Sequence, residues 1–244
     1  MGLVLILIKN TTMKKALLLL LLSTSFSVIA QTQPAERANR EEIVDDSFYS
    51  VRFGFTGGFL LSSVSGDNAD SFDPRTSYHI GLTSRFRLGE ESRFTIHPSI
   101  IYARQGYDFE SDENTQFYEE DINSGSNLTI KLTYIHFPIL LGYEVIDNLR
   151  VMGGPQIGFR FLSETELDPD ESDTAASVIE LEEYISDVDI SLSIGAEYFL
   201  TPRVGLGIRY TRGLNNINGK ADEGIAETEQ FNNAFYVSAT YLIR

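Results

Sequence analysis

Eight runs of alternating apolar and polar residues fill the chain from Val51 to its end, most of them about 9–13 residues long. Period-two alternation sends successive side chains to opposite faces of a strand. Strands of soluble sandwiches average about 5–6 residues, whereas a tilted strand needs roughly 9–11 to cross a bilayer. Inside hydrocarbon every backbone donor and acceptor must be satisfied, so spanning strands must close on themselves. The pattern predicts an all-β fold, an eight-stranded antiparallel transmembrane β-barrel in an outer membrane.

The first run, VRFGFTGGFLL, sets Val51, Phe53, Phe55, Phe59 and Leu61 outward, with Arg52, Thr56 and Gly58 opposite. In the second, Tyr78, Ile80, Leu82, Phe86 and Leu88 face lipid and His79, Thr83, Arg85 and Arg87 face inward. The third puts Phe94, Ile96, Ile100 and Tyr102 outward. The fourth, LTIKLTYIHFPILLGYEV, is less regular: Leu128 to Tyr134 favours even positions and Ile135 to Tyr143 odd ones. A bulge near Ile135–His136 would reconcile the halves, and so would an upper half standing above the bilayer. Outward residues of the fifth run are Val151, Ile157, Phe159 and Phe161. The sixth sets Val188, Ile190, Leu192, Ile194 and Tyr198 against Asp187, Asp189, Ser191, Ser193 and Glu197. The seventh turns Val204, Leu206, Ile208 and Tyr210 outward, and the eighth Phe235, Val237, Ala239, Tyr241 and Ile243.

The connections alternate long and short, as in bacterial barrels with brief periplasmic turns and long external loops. The acid lies in the long ones. Ser62–Arg75 carries a net −2, Gly106–Asn127 −7, Ser163–Tyr184 −9 and Leu214–Asn232 −3, together more than the −16 of the whole chain. The remainder is therefore net positive. Phosphate contacts require clustered Lys and Arg, so nucleic acid is excluded as a partner. Cys is absent, which removes disulfides, thiol nucleophiles and thiolate metal sites. Trp is absent as well, but 12 Tyr and 16 Phe are enough for interfacial girdles.

Ahead of the strands, Lys14-Lys15, the apolar run Ala16 to Leu22 and Val28-Ile29-Ala30 form an export signal. The expected organisation is a signal peptide over residues 1–30 with its start at Met13. A flexible periplasmic lead-in follows at 31–49, then the barrel at 50–244.

Several fragments carry a family resemblance: VRFGFTGGFLLSS, FTIHPSIIYARQGY, YIHFPILLGYEV, NLRVMGGPQIGF, VGLGIRYTRGLNNI and FYVSATYLI. Most specific are Tyr134 and Pro138 in a Tyr-x-x-x-Pro core, Gly153-Gly154, and Arg209-Tyr210 followed by Gly213-Leu214-Asn215-Asn216-Ile217. From about Val51 to Arg244 the chain resembles the PorT-like outer-membrane β-barrel family of Bacteroidota. Two positions depart from it: His136 stands where relatives often carry Glu, and the chain ends in Arg244 rather than an aromatic residue. The resemblance implies an eight-stranded barrel with periplasmic termini, and a link to the type IX secretion and gliding machinery through the family's named member.

An eight-stranded barrel encloses a space that side chains just fill. Arg52, Arg85, Arg87, Arg160, Asp187, Asp189, Glu197 and Arg209 are expected there as a lumenal polar core, paired because isolated buried charge is very costly. His97 and Ser99 share a face, and a simple hairpin register would set Ser99 diagonally near His79. A Ser–His pair can drive acyl transfer, but an inward-facing pair is out of reach of lipid, so lumenal hydrogen bonding is the better reading. Zinc would need three or four converging ligands, and the three histidines, His79, His97 and His136, lie on three strands. Asp168, Asp170, Glu171 and Asp173 offer oxygen ligands to a weakly held divalent cation, though a solvated acidic loop explains them as well. No catalytic, cofactor or metal-binding residue is assigned. The expectation is a non-enzymatic envelope component in outer-membrane lipid, structural or interacting, with other envelope or secretion proteins as its candidate partners. The alternatives are a narrow solute or ion channel and a lipid-modifying enzyme.

Overall fold

The computed structural model describes residues 51–67, 69, 72–89, 91–110, 116–117, 120–121, 127–167, 185–218 and 229–243. The expected signal and lead-in, and the acidic group Asp168, Asp170, Glu171 and Asp173, lie outside these residues.

The strands are β1 (Val51–Gly66), β2 (Phe72–Arg87), β3 (Phe94–Glu110), β4 (Gln116–Phe117), β5 (Glu120–Asp121), β6 (Asn127–Ile146), β7 (Leu149–Leu167), β8 (Val188–Phe199), β9 (Val204–Gly213) and β10 (Gln230–Leu242). Eight of them close an antiparallel barrel in the order β1-β10-β9-β8-β7-β6-β3-β2, and β4 and β5 form a separate small ladder between β3 and β6. Closure joins first strand to last, with Gly54 opposite Leu242 and Gly66 opposite Gln230. No α-helix occurs among the described residues.

Short turns gather at one end. Asp147-Asn148 joins β6 to β7 with Asn148 at φ 70°, the left-handed conformation that two-residue hairpin turns require and Asn tolerates. Between β8 and β9, the Thr201 hydroxyl accepts the Arg203 and Val204 amides at 3.3 and 3.0 Å. Both barrel termini lie at this same end, which is the periplasmic one.

The lipid face follows the alternation: Phe53, Phe55, Phe59, Tyr78, Ile80, Leu82, Ile139, Leu141, Ile190, Ile194, Leu206, Ile208, Val237 and Tyr241 are all exposed on the outside. Along β6 this apolar face runs from Ile135 to Val145. Ten residue steps of about 3.3 Å, tilted by about 40°, give roughly the 25 Å belt of such barrels.

Beyond the belt the polarity of the wall reverses. Even positions of β6 point inward from Leu128 to Glu144, so no bulge is needed at Ile135–His136. Leu128, Ile130, Leu132 and Tyr134 are buried inside, while the alternate positions carry Thr129, Lys131 and Thr133. The upper half stands above the bilayer, with its apolar residues in and its polar ones out. The register break lies in the partner strand: Thr133 pairs with Leu162 but Tyr134 with Arg160, leaving Phe161 as an extra residue in β7. β3, β6 and β7 have 17, 20 and 19 residues, against 12 and 10 for β8 and β9, so the outer wall is tall on one side and low on the other.

Other irregularities sit where the sequence demands them. Pro74, which cannot donate to a ladder, borders the β2–β3 register shift between Pro74 and His79. Across that break the Ser62 hydroxyl accepts the Gly106 amide at 3.0 Å and donates to the Gly106 carbonyl at 2.7 Å. Gly106 has φ 145°, and a Cβ there would overlap the Ile130 carbonyl. In the β6–β7 ladder Pro138 stands opposite Gln156 and Gly153 opposite Leu141, and a Cβ on Gly154 would lie 2.3 Å from the Ile139 carbonyl oxygen. These motif residues encode the close approach of β6 and β7.

Candidate functional site

The lumen is the concave space where inward side chains could act, and it is organised in layers. On the low side of the wall the Arg160 guanidinium donates to Asp187 Oδ1 at 2.9 Å and to the Ile185 carbonyl at 2.8 Å. Level with this pair and outward of it stands an apolar plug of Val64, Tyr107, Phe109, Leu128, Ile130, Leu132, Tyr134, Ile185 and Ile217, with Phe72 packed against it: Tyr134 pairs with Arg160, and Leu132, Ile130 and Leu128 follow further from the short turn. These side chains place a continuous apolar cluster across this part of the lumen. Parity on β6 was ambiguous from sequence, and the plug's other members come from two more strands and two loop ends, so the sequence reading missed it.

The segment Gly213-Leu214-Asn215-Asn216-Ile217 closes the low side of the wall. Asn215 accepts the Ile190 amide at 2.6 Å and donates to the Val188 carbonyl at 2.8 Å, extending the β8 ladder with a side chain. Asn216 accepts the amides of Asn218 and Gln230 at 3.0 and 3.1 Å. The Ile217 amide donates to the Gln230 carbonyl at 2.8 Å, which sets its side chain into the plug.

Mid-lumen, polar groups pair in part, with His79 Nδ1, His136 Nε2 and Gln156 Oε1 buried without a partner. Asn232 donates to Tyr134 Oη at 3.3 Å and to the buried Asp189 Oδ1 at 3.2 Å. Gln156 donates to His136 Nδ1 at 3.2 Å and to Ser191 Oγ at 3.3 Å. Gln105 donates to Tyr236 Oη at 3.0 Å, and Arg209 stacks over the Tyr236 ring at 4.4 Å. His79 Nε2 meets Ser238 Oγ at 3.0 Å.

The periplasmic layer is strongly charged. Arg150 pairs with Glu197 at 3.4 Å in the interior, and Arg87 with Glu144 at 3.5 Å nearer the rim. Arg52 donates to the Pro202 carbonyl at 3.0 Å. The Phe199 ring carries Arg85 on its face at 5.0 Å and Arg150 at 5.4 Å. A cavity of about 70 Å³ lies here, lined by Arg85, His97, Ser99, Arg150, Glu197 and Arg209 among others.

The eight residues expected in the lumen therefore occupy three levels. Arg160 and Asp187 are external, Asp189 and Arg209 central, and Arg52, Arg85, Arg87 and Glu197 periplasmic. Arg150 and Glu144 belong with the last group, and parity could have found Arg150, since its neighbour Val151 faces lipid. The Ser99–His79 expectation is overturned. Thr83, not His79, stands opposite Ser99, and His79 pairs with Ala103. Ser99 Oγ donates instead to Thr83 Oγ1 at 2.9 Å, while His97 Nε2 meets Thr95 Oγ1 at 2.7 Å. No group of three His, Cys, Asp or Glu among the described residues is placed to hold a metal ion.

Residues 29–219 match the family model described as outer membrane protein beta-barrel domain, and those residues run from before β1 to just past β9. The chain belongs to this outer-membrane family. Its closed barrel and apolar belt place it in outer-membrane lipid. No curated protein matches the sequence. Among solved structures, the chain is similar to the attachment invasion locus protein Ail of Yersinia pestis, at 12% identity and a TM-score of 0.41, over 79% of this chain and 99% of that one. It is also similar to OprG from Pseudomonas aeruginosa, at 12% identity and a TM-score of 0.37, over 81% and 98%.

Proposed function

We propose that this protein is a non-conducting, non-enzymatic outer-membrane anchor that presents its elevated wall and acidic loops to envelope partners. The observation that carries this reading is the plug. Nine buried residues, aliphatic but for three aromatics, fill the external half of the lumen, and Ile185 and Ile217 enter it from the loops. Conduction needs either a wetted path or a constriction that can rewet. The charged groups that would have lined such a path are engaged: Asp189 accepts from Asn232, and Asp187 pairs with Arg160. Hydroxyl–imidazole pairs lie inside the barrel, away from the lipid an acyl-transfer enzyme would have to reach.

The finer membership, a PorT-like barrel serving a secretion apparatus, rests on the sequence fragments quoted above. Within those fragments, Tyr134 and Ile217 are members of the plug. Native electrophoresis of gently solubilised outer membranes tests the partner reading. Migration of the chain within a much larger assembly is the expected result, and mass spectrometry of that band would name its partners. A compact, heat-shifted band running alone at every detergent strength would overturn it.

A further inference from the structure

We infer that the periplasmic cavity of the lumen binds one small oxyanion, held chiefly by Arg85 and Arg150. The charge balance there is one-sided. Three guanidiniums, Arg85, Arg150 and Arg209, line the cavity against a single carboxylate, Glu197, which already accepts from Arg150 Nη1 at 3.4 Å. Register worsens the excess, because Arg85 stands directly opposite Arg52 across the β1–β2 ladder. Like charges directly opposed destabilise a sheet, and cations enclosed in a low-dielectric lumen need counter-charge.

One buried donor lacks an acceptor, and a half-buried guanidinium beside it is unpaired. The Arg150 Nε is buried without a hydrogen-bond partner, on a residue only 2% exposed. Arg85 makes no hydrogen bond or ion pair among the described residues, its described contact being the Phe199 ring. That ring carries both guanidiniums, which holds them beside one space. Ser99 donates to Thr83 Oγ1, so the Thr83 hydroxyl hydrogen is left for a further acceptor on the cavity wall. The space fits the chemistry. One water needs roughly 10–15 Å³, so about 70 Å³ is room for a planar or tetrahedral oxyanion. Guanidinium forks match the oxygens of such ions better than they match a halide. Access is from the periplasm, because the apolar plug closes the other end.

The test is isothermal titration of inorganic phosphate, and separately sulfate, into the folded full-length barrel in chloride-free detergent buffer. One saturable site is expected. Arg85→Gln should weaken it by roughly tenfold or more, the loss of one charge-assisted hydrogen bond, while Lys131→Gln on the outer wall leaves it unchanged. Glycerol 3-phosphate, standing for a lipid headgroup, should bind more weakly than free phosphate, since only the free ion presents all its oxygens to the guanidiniums. If Arg85→Gln does not fold, as judged by the heat-shifted gel band, Thr83→Val provides the same weakening with charge intact. Absence of saturable heat with both anions, binding that survives Arg85→Gln or Thr83→Val, or equal binding of glycerol 3-phosphate would each overturn the site.

Discussion

Ile130 and Lys131 are neighbours in β6 that face opposite ways above the belt, and truncating each to alanine should have very different costs. Ile130 is fully buried inside the barrel. Ile130→Ala removes three carbons at about 0.8 kcal/mol each, and the cavity left in a packed core raises the total to about 2–5 kcal/mol. Lys131 lies on the polar outer surface, where a substitution costs about 1 kcal/mol or less. The chain has no Trp, so equilibrium denaturant unfolding from lipid vesicles should be read by circular dichroism and by the gel shift between folded and unfolded forms. A drop in stability for Ile130→Ala several times that of Lys131→Ala is expected. Equal losses, or none at Ile130, would refute the idea of a soluble-like core standing above the membrane.

Three further outcomes follow from the same geometry. Ile194, 67% exposed at the middle of the β8 lipid face, should not tolerate Arg: about 2–4 kcal/mol is lost at the bilayer midplane, measurable as a shifted unfolding midpoint in vesicles. Glu197→Gln leaves Arg150 without its carboxylate and should cost about 3–5 kcal/mol, most of it recovered when Arg150→Met is added, as a double-mutant cycle would show. Asn215→Ala removes the side-chain bridge to Val188 and Ile190. At about 1 kcal/mol net per hydrogen bond, amide exchange at Ile190 should accelerate roughly tenfold, while that at Ile208 in the belt stays unchanged.

Legibility in the sequence tracked the solvent each strand meets. Within the belt one face sees lipid and the other a filled lumen, so alternation alone placed Ile80, Leu141, Ile194 and Val237 outside. Above the belt the outer solvent is water, and the same alternation reverses its meaning. Leu128, Ile130 and Leu132 look like a lipid face in the wrong register, and a bulge and a change of solvent are indistinguishable in one strand. Only the neighbouring strand, with its extra residue at Phe161, resolved them. The charged lumen was legible as a set of inward residues but not as levels, because height depends on strand stagger around the barrel. That stagger also separated Ser99 from His79: the β2–β3 pairing sets Thr83 opposite Ser99, which a tightly turned hairpin pattern does not specify. The Asn215 latch mimics a strand with a side chain, a device with no periodicity to read.

Single-channel recording of the purified barrel in planar bilayers tests the central claim most directly. A plugged lumen predicts a silent membrane across many verified insertions, with conductance steps emerging only when the plug is hollowed by combined Ile130→Ala and Leu132→Ala substitutions. Steady conductance from the unmodified protein, diminished when Asp189 is neutralised, would contradict the plug and make this barrel a channel.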